Sequence, residues 1–246
     1  MLYKTPPIIE AVVEFRLSEP VRAAALERTK AILQKRLPST VEEHNYNVHL
    51  DGDRGTVNVT SDPFGFRLQG KGSSAETVVL KRDLFSAAKL APYSGWEDLR
   101  ELAKECWAVF LETAEPRGNV ARVGLRYVNR VDIPWSPGGR MDVRDYLTFV
   151  FEAPQPPLRP SLEFLVSMET DIGDTDECGV RIVSSSAASP LIGHNGIVLD
   201  IDVFTRQAQS MDASSLWTTV ERMRKYKNDV FETCITDKAR DLFGRA

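Results

Sequence analysis

Residues 96–114 read WEDLRELAKECWAVFLETA, and they form the clearest long amphipathic pattern in the chain. Apolar side chains recur every three or four positions from Trp96 to Phe110, so the segment predicts a helix with one apolar stripe. A second segment, 217–235, aligns with the first without gaps and places Trp217 on Trp96. Because a helix with one apolar stripe must bury it, both segments are expected to pack on a sheet.

The sequence before the first of these helices predicts a strand, a helix and several short strands. Residues 8–17 alternate as a strand, and Pro20 opens a predicted helix over 21–37. Ser94 to Glu97 fits an S-x-x-E capping box that would begin the long helix. Short strands separated by Asp, Gly and Pro turns are predicted at 46–50, 56–61, 64–70 and 77–82.

The second half of the chain repeats this order. Residues 122–133 predict a strand, and Asp142 is the expected cap of a helix that runs to about residue 152. Ser214 or Ser215 is the expected cap of the last long helix, which ends near residue 236. The strands predicted between these two helices are 162–170, 179–184 and 196–204.

These elements predict an α+β protein made of two related halves, residues 1–121 and 122–246, packed as one compact unit. Each half reads as a strand, a helix, several antiparallel strands and a long helix, which is a β-α-β-β-β-α pattern repeated. Such helix-on-sheet halves are similar to the helix-grip and TATA-binding-protein-like architectures. This likeness in element order carries no information about activity.

Composition narrows the class of protein. The 246 residues carry a formal net charge of −4, and the densest basic run, 222–227, is flanked by acidic residues and winds round a helix as a solvated surface. Nucleic-acid binding is therefore not expected. No apolar run long enough to cross a bilayer and no secretion signal are evident, and three scattered cysteines indicate reduced thiols and a cytoplasmic location.

The sequence contains no catalytic or cofactor motif in a fitting context. Residues 65–71 fit G-x-x-x-x-G-K, but Gly72 replaces the Ser or Thr that would bind magnesium, and the segment alternates as a strand entering a hairpin. The histidines and cysteines are not at metal-ligand spacing, and no nucleophile elbow occurs. No cofactor, metal or catalytic residue is predicted.

Two polar patterns on strands are candidates for a ligand or partner site. Asp200 and Asp202 share one face of a strand, and Arg126 and Arg130 share one face of another. Cross-strand Arg–Asp pairs would satisfy these groups structurally, whereas a ligand, a partner or a magnesium ion are the functional alternatives. Asn129 falls on the apolar phase of its strand, where a buried amide must find hydrogen-bond partners, such as neighbouring backbone.

Aromatic residues concentrate just before the first long helix, in LAPYSGW (90–96). Tyr93 and Trp96 can pack as core and cap residues or line a pocket beside the helix N-terminus.

Five segments form a recognisable set of motifs: PPIIEAVVEF (6–15), LAPYSGW (90–96), GLRYVNRVDIP (124–134), IVLDIDVF (197–204) and KNDVFETCITDKARDLF (227–243). In this order they resemble the motifs of a sporadically distributed family of uncharacterised bacterial and archaeal proteins. The resemblance implies no agreed activity, cofactor or catalytic residue. Its patchy distribution is similar to that of accessory genes, such as toxin–antitoxin or phage-defence components.

Three functional hypotheses follow, in order of preference. The first is a non-enzymatic interaction or regulatory module that binds a partner protein, encoded by a neighbouring gene, with a homodimer as a further possibility and no membrane role. The second is a small-molecule binding protein with a pocket between sheet and helices, lined by Tyr93, Trp96, Tyr127 and Asn129. The third is a metal-dependent enzyme that uses Asp200 and Asp202.

Overall fold

The structure, a computed structural model, describes residues 3–51, 56–71, 76–135, 142–150, 163–173 and 177–244. Within these ranges the chain forms nine strands, four α-helices and one 3-10 turn. In chain order they are β1 (Ile8–Leu17), α1 (Ala23–Leu33), β2 (Ser39–Asp51), β3 (Thr56–Gln69), β4 (Glu76–Lys81), β5 (Leu84–Leu90), α2 (Trp96–Ala114), β6 (Val120–Pro134), the 3-10 turn (Val143–Asp145), β7 (Leu165–Ile172), β8 (Cys178–Ala188), β9 (His194–Thr205), α3 (Ala213–Cys234) and α4 (Asp237–Phe243).

All nine strands belong to one large antiparallel sheet, in the order β2-β3-β4-β5-β1-β6-β9-β8-β7. The α+β class predicted from the sequence is therefore confirmed. No helix in these described ranges is both long and apolar enough to cross a membrane.

The chain divides into two compact units whose sequences interleave. The larger unit consists of residues 1–12, 90–93 and 122–246, and the smaller unit consists of residues 13–89 and 94–121. The junction at 121/122 coincides with the division of the sequence into halves. Two segments of the first half nevertheless belong to the larger unit.

Aromatic side chains form the core of the smaller unit. Phe15 of β1 lies 4.8 Å from Trp107 of α2, measured between ring centroids, and Trp107 stacks on Phe110 at 5.2 Å. Helices α1 and α2 are joined by a 2.6 Å hydrogen bond between the hydroxyls of Thr29 and Thr113. This packing buries the apolar stripe of α2, as its sequence predicts.

The larger unit is built on the alternating face of β6. Leu125, Tyr127 and Asn129 are buried, whereas Arg126 between them is exposed. Antiparallel pairing places Tyr127 opposite Ile201 and Asn129 opposite Leu199 of β9. Helix α3 lies against β9 and contributes its own buried stripe, which runs from Leu216 to Cys234.

Two strand predictions were wrong. The turn expected at Asp62-Pro63 is part of β3, which runs unbroken from Thr56 to Gln69. Strand β4 pairs with β3 only from Gly65 onward, so at Pro63 strand β3 has β2 as its one neighbour among the described strands. The β2–β3 register also shifts there, at Glu43/His44. Proline is tolerated at such a position because fewer ladder hydrogen bonds need its missing N–H. Strand β5 was not predicted, because LFSAAKL lacks the β-branched residues that indicate a strand.

Helix ends also differ from the sequence prediction. Gly95, without a side-chain hydrogen bond, caps α2, so the capping box at Ser94 does not form. Asp142 caps only a 3-10 turn of three residues, and residues 151–152 of the predicted helix lie outside the described ranges. Asp212, in place of Ser214 or Ser215, caps α3, and the short helix α4 follows it.

Candidate functional site

The charged side chains of β6 and β9 pair with each other on the outer face of the larger unit. Arg126 holds Asp200 with two hydrogen bonds, from Nε to Oδ1 at 2.9 Å and from Nη2 to Oδ2 at 2.6 Å. The cross-strand pair predicted for Arg126 is therefore present. Asp202 pairs with Arg122 at 2.6 Å, so Arg122 takes the place that the sequence suggested for Arg130.

Arg130 pairs within its own strand instead, with Asp132 at 3.1 Å. Because a guanidinium sits beside both Asp200 and Asp202, positive charge already occupies the places where a cation would approach these carboxylates. In the described part of the chain, no three His, Cys, Asp or Glu side chains are grouped as a metal site.

Asn129 is satisfied by backbone, as the sequence predicts. Its Nδ2 donates to the carbonyl oxygen of Leu199 at 3.0 Å, and its side chain is buried. Asn129 thereby bridges β6 and β9 within the core.

Residues 65–71 do not form a phosphate loop. Gly65 and Phe66 lie inside β3, and the strand ends at Gln69, where the backbone turns toward β4. The prediction of a hairpin is confirmed for the described residues of this segment.

The three cysteines are free and buried. Burial raises the pKa of the Cys106 thiol and of the Cys234 thiol to about 11. Both thiols are therefore protonated at neutral pH and are poor nucleophiles.

Tyr93 and Tyr127, two residues of the predicted pocket, meet inside the larger unit. Their hydroxyl oxygens are 3.1 Å apart, and the rings make an edge-to-face contact with centroids 5.9 Å apart. Asn129 lies two residues farther along the same face of β6. Trp96 begins α2 in the smaller unit, where its side chain is buried.

A lysine that was not predicted as a site residue lies beside Tyr93 and Tyr127. Lys227 of α3 places Nζ 3.9 Å from the centroid of the Tyr127 ring, and its side chain is only 7% exposed. Tyr127 and Lys227 are buried, and Tyr93 lies half-buried beside them. We call these three residues the Tyr–Lys cluster. Burial raises the pKa of Tyr127 well above its usual value, with Tyr93 as a further cause.

The basic run 222–227 was predicted to be a solvated helix surface, and for Lys227 this is wrong. Lys227 lies four residues after Met223 and four before Phe231, which are both buried, so it shares their face of α3. That spacing is the signal that identifies Lys227 in the sequence. Lys225, two residues earlier, is exposed as predicted.

Exposed apolar side chains collect at one end of the β6–β9 ladder. Trp135 follows β6 with its side chain 65% exposed, and its backbone N–H donates to the carbonyl of Gly193 at 2.9 Å. Leu191 and Ile192 precede Gly193 in the β8–β9 connection, and Ile192 is fully exposed. We call Trp135, Leu191 and Ile192 the apolar end.

An open depression of about 750 Å³ lies where β7 begins beside the end of β8. Glu163 is the ionisable residue among those lining it, and Phe164, Leu165 and 185–188 supply the rest. The depression therefore gathers no set of convergent polar groups of the kind that fixes a small ligand.

The chain matches no protein-family model and no curated protein sequence.

Proposed function

We propose that this protein is an interaction module that binds a partner protein through the apolar end. The observation that carries the proposal is the joint exposure of Trp135, Leu191 and Ile192 at one end of a ladder. Large apolar side chains grouped at a surface mark interaction sites, and tryptophan is enriched among the residues that dominate binding energy.

The shape of the apolar end indicates what the partner offers. Ile192 belongs to a connection between two strands and is fully exposed, so it protrudes and does not line a groove. The partner therefore supplies an apolar concavity into which Ile192 and Trp135 insert. Burying a tryptophan removes on the order of 150–250 Å² of surface from water.

The proposal includes the origin of the partner. By its resemblance to a sporadically distributed family, the protein acts in the cytoplasm as an accessory component of a toxin–antitoxin or phage-defence kind, and its partner is encoded by a neighbouring gene. The paired charges of Asp200 and Asp202 support a binding role over a metal-dependent reaction.

The test begins with the tagged chain expressed from its native locus with neighbouring genes intact, followed by native mass spectrometry. The identified partner is then purified and titrated against the wild type and against Trp135→Ala, Ile192→Ser and Ile32→Ser. Ile32 is the matched control, because it is an exposed isoleucine on α1 of the smaller unit.

We expect Trp135→Ala to weaken binding by about 30-fold, the loss typical of a central interface tryptophan, and Ile32→Ser to bind as the wild type does. A monomer without a protein partner, or equal affinity of all four proteins, would contradict the proposal. A homodimer that Trp135→Ala dissociates would show a second copy as the occupant and overturn the choice of a distinct partner.

We further propose that the two halves of the chain arose by duplication, in a helix-grip or TATA-binding-protein-like arrangement. In support, each half begins with a long strand and contains, after its other strands, a long helix, and the two helices align with Trp96 on Trp217. The halves differ between these elements, where four strands follow α1 and three follow the 3-10 turn. An experimental structure in which α2 and α3 cannot be superposed together with their own strands would refute the duplication.

A further inference from the structure

Lys227 occupies a position that α3 otherwise gives to apolar side chains. The buried residues of this helix include Val220, Met223, Val230 and Phe231, spaced so that they face the sheet together with Lys227. A methionine or leucine there would continue the core without any charge. The ammonium of Lys227 therefore departs from the apolar packing pattern of α3.

The described surroundings do not neutralise this ammonium. Lys227 forms no hydrogen bond or ion pair with any described residue, and its one polar contact is with the face of the Tyr127 ring. A buried cation loses more free energy on leaving water than one cation–π contact returns.

The carboxylates nearest to Lys227 are held by other partners. Burial, with Arg224 as a further cause and Glu232 acting in the opposite direction, lowers the pKa of Lys227 to about 8. Arg224 lies one turn before Lys227, where Glu221 pairs with it at 3.6 Å. Glu232 pairs with Arg240 at 3.0 Å, so neither of these two carboxylates is in ion-pair contact with Lys227.

Two hydroxyl groups stand beside the ammonium of Lys227. When Tyr93 donates the hydrogen bond between the two tyrosines, the hydroxyl hydrogen of Tyr127 is available to another acceptor. This hydroxyl is at the edge of the ring that Nζ covers, so one carboxylate or phosphate group can contact both.

The ammonium also reaches solvent. The fully enclosed polar side-chain atoms without a partner, within the described ranges, are Trp107 Nε1 and Ser184 Oγ, and Lys227 Nζ is not among them. Because Nζ has no hydrogen-bond partner among the described residues, its absence from this set means that it keeps some solvent-accessible surface, where a small anion would contact it.

We propose that the Tyr–Lys cluster binds the anionic group, carboxylate or phosphate, of a small molecule. Lys227 supplies the charge, and Tyr127 supplies a hydroxyl donor that Tyr93 orients. The site is independent of the apolar end, and its ligand is distinct from a protein partner.

The experiment measures the melting temperature of the full chain in sodium acetate and in sodium phosphate, each against sodium chloride of equal ionic strength. The variants are Lys227→Met, which keeps the length of the side chain, and Lys225→Met, the matched control on the same helix. Tyr127→Phe removes the hydroxyl and retains the ring.

At ten times its dissociation constant, a bound anion should raise the melting temperature of the wild type by about 3–6 °C. We expect the same rise for Lys225→Met, a rise requiring several-fold more anion for Tyr127→Phe, and none for Lys227→Met. Acetate and phosphate, compared with each other, show which anionic group the cluster prefers.

Equal rises in all four proteins would show an adventitious ion only and overturn the proposal, as would the absence of any rise in the wild type. If Lys227→Met does not fold, the Tyr127→Phe titration decides. A midpoint unchanged from the wild type would then contradict the assigned role of the cluster.

Discussion

Lys227 is protonated in the unfolded chain up to a pH near 10.5, whereas folding lowers its pKa to about 8 because burial disfavours the ammonium. The folded state therefore binds fewer protons than the unfolded state between these two values. Stability rises with pH wherever the unfolded state holds more protons, so the cost of burying Lys227 is present below pH 8 and is relieved between pH 8 and 10.5. This cost is on the order of 3 kcal/mol.

Lys227→Met should consequently be more stable than the wild type at pH 7, since it removes the buried charge and keeps the packing. The difference in unfolding free energy between the two proteins should shrink by about 3 kcal/mol as the pH rises from 7 to 10.5. Urea unfolding at several pH values measures it, with Lys225→Met as the control. A constant difference across this range would mean that Lys227 is not buried as a cation.

For single residues, the sequence predicted some side-chain contacts correctly because the partners lie on a neighbouring strand. Asn129 finds backbone acceptors one strand away, and Arg126 finds Asp200 across the ladder, which strand alternation makes foreseeable. The choice of Arg122 over Arg130 for Asp202 depends on the register of β6 and β9, which the sequence does not specify.

Helix α3 begins at an aspartate whose carboxylate completes the first turn. Asp212 Oδ2 accepts from the backbone N–H of Ser215 at 2.9 Å and from the Ser214 hydroxyl at 2.7 Å. Asp212→Ala leaves these donors without an acceptor and should lower the melting temperature by about 2–4 °C. Asp212→Asn retains the accepting oxygen and should cost much less, as thermal unfolding followed by circular dichroism will measure. Equal losses in both variants would show that the charge of Asp212, and not its capping bond, supports the helix.

Elements were foreseen from the sequence where one local pattern dominates and missed where tertiary contacts decide. The apolar stripes of α2 and α3 are longer than three helical turns, so the sequence predicts these helices even where it misplaces their ends. Strand β5 is stabilised by pairing with β4 along its length. Its own residues do not indicate a strand. Asp142 makes the expected capping bond, yet the chain after it pairs with residues near Ile235 and does not continue as a helix.

The interleaving of the two units has a consequence for the whole molecule. Residues 122–246 were predicted as the second half of the chain, and the larger unit adds residues 1–12 and 90–93 to them. Tyr3 donates to Glu232 at 2.7 Å, and Pro7 accepts from the backbone of Arg130 at 2.8 Å. A fragment that lacks these segments leaves one side of β6 unpaired and uncovers apolar surface around α3 and α4.

We therefore expect residues 122–246, expressed alone, to show no cooperative unfolding transition in urea. Co-expression with residues 1–121 supplies the missing strand and the Tyr93 segment, so it should restore a transition close to that of the intact chain. The chain cleaved at the 121/122 junction after folding is the matched control, because it contains the same two fragments already assembled. Cooperative unfolding of the isolated fragment, with a slope in denaturant fitting its length, would show that the second half folds by itself and that the contributions of 1–12 and 90–93 are dispensable.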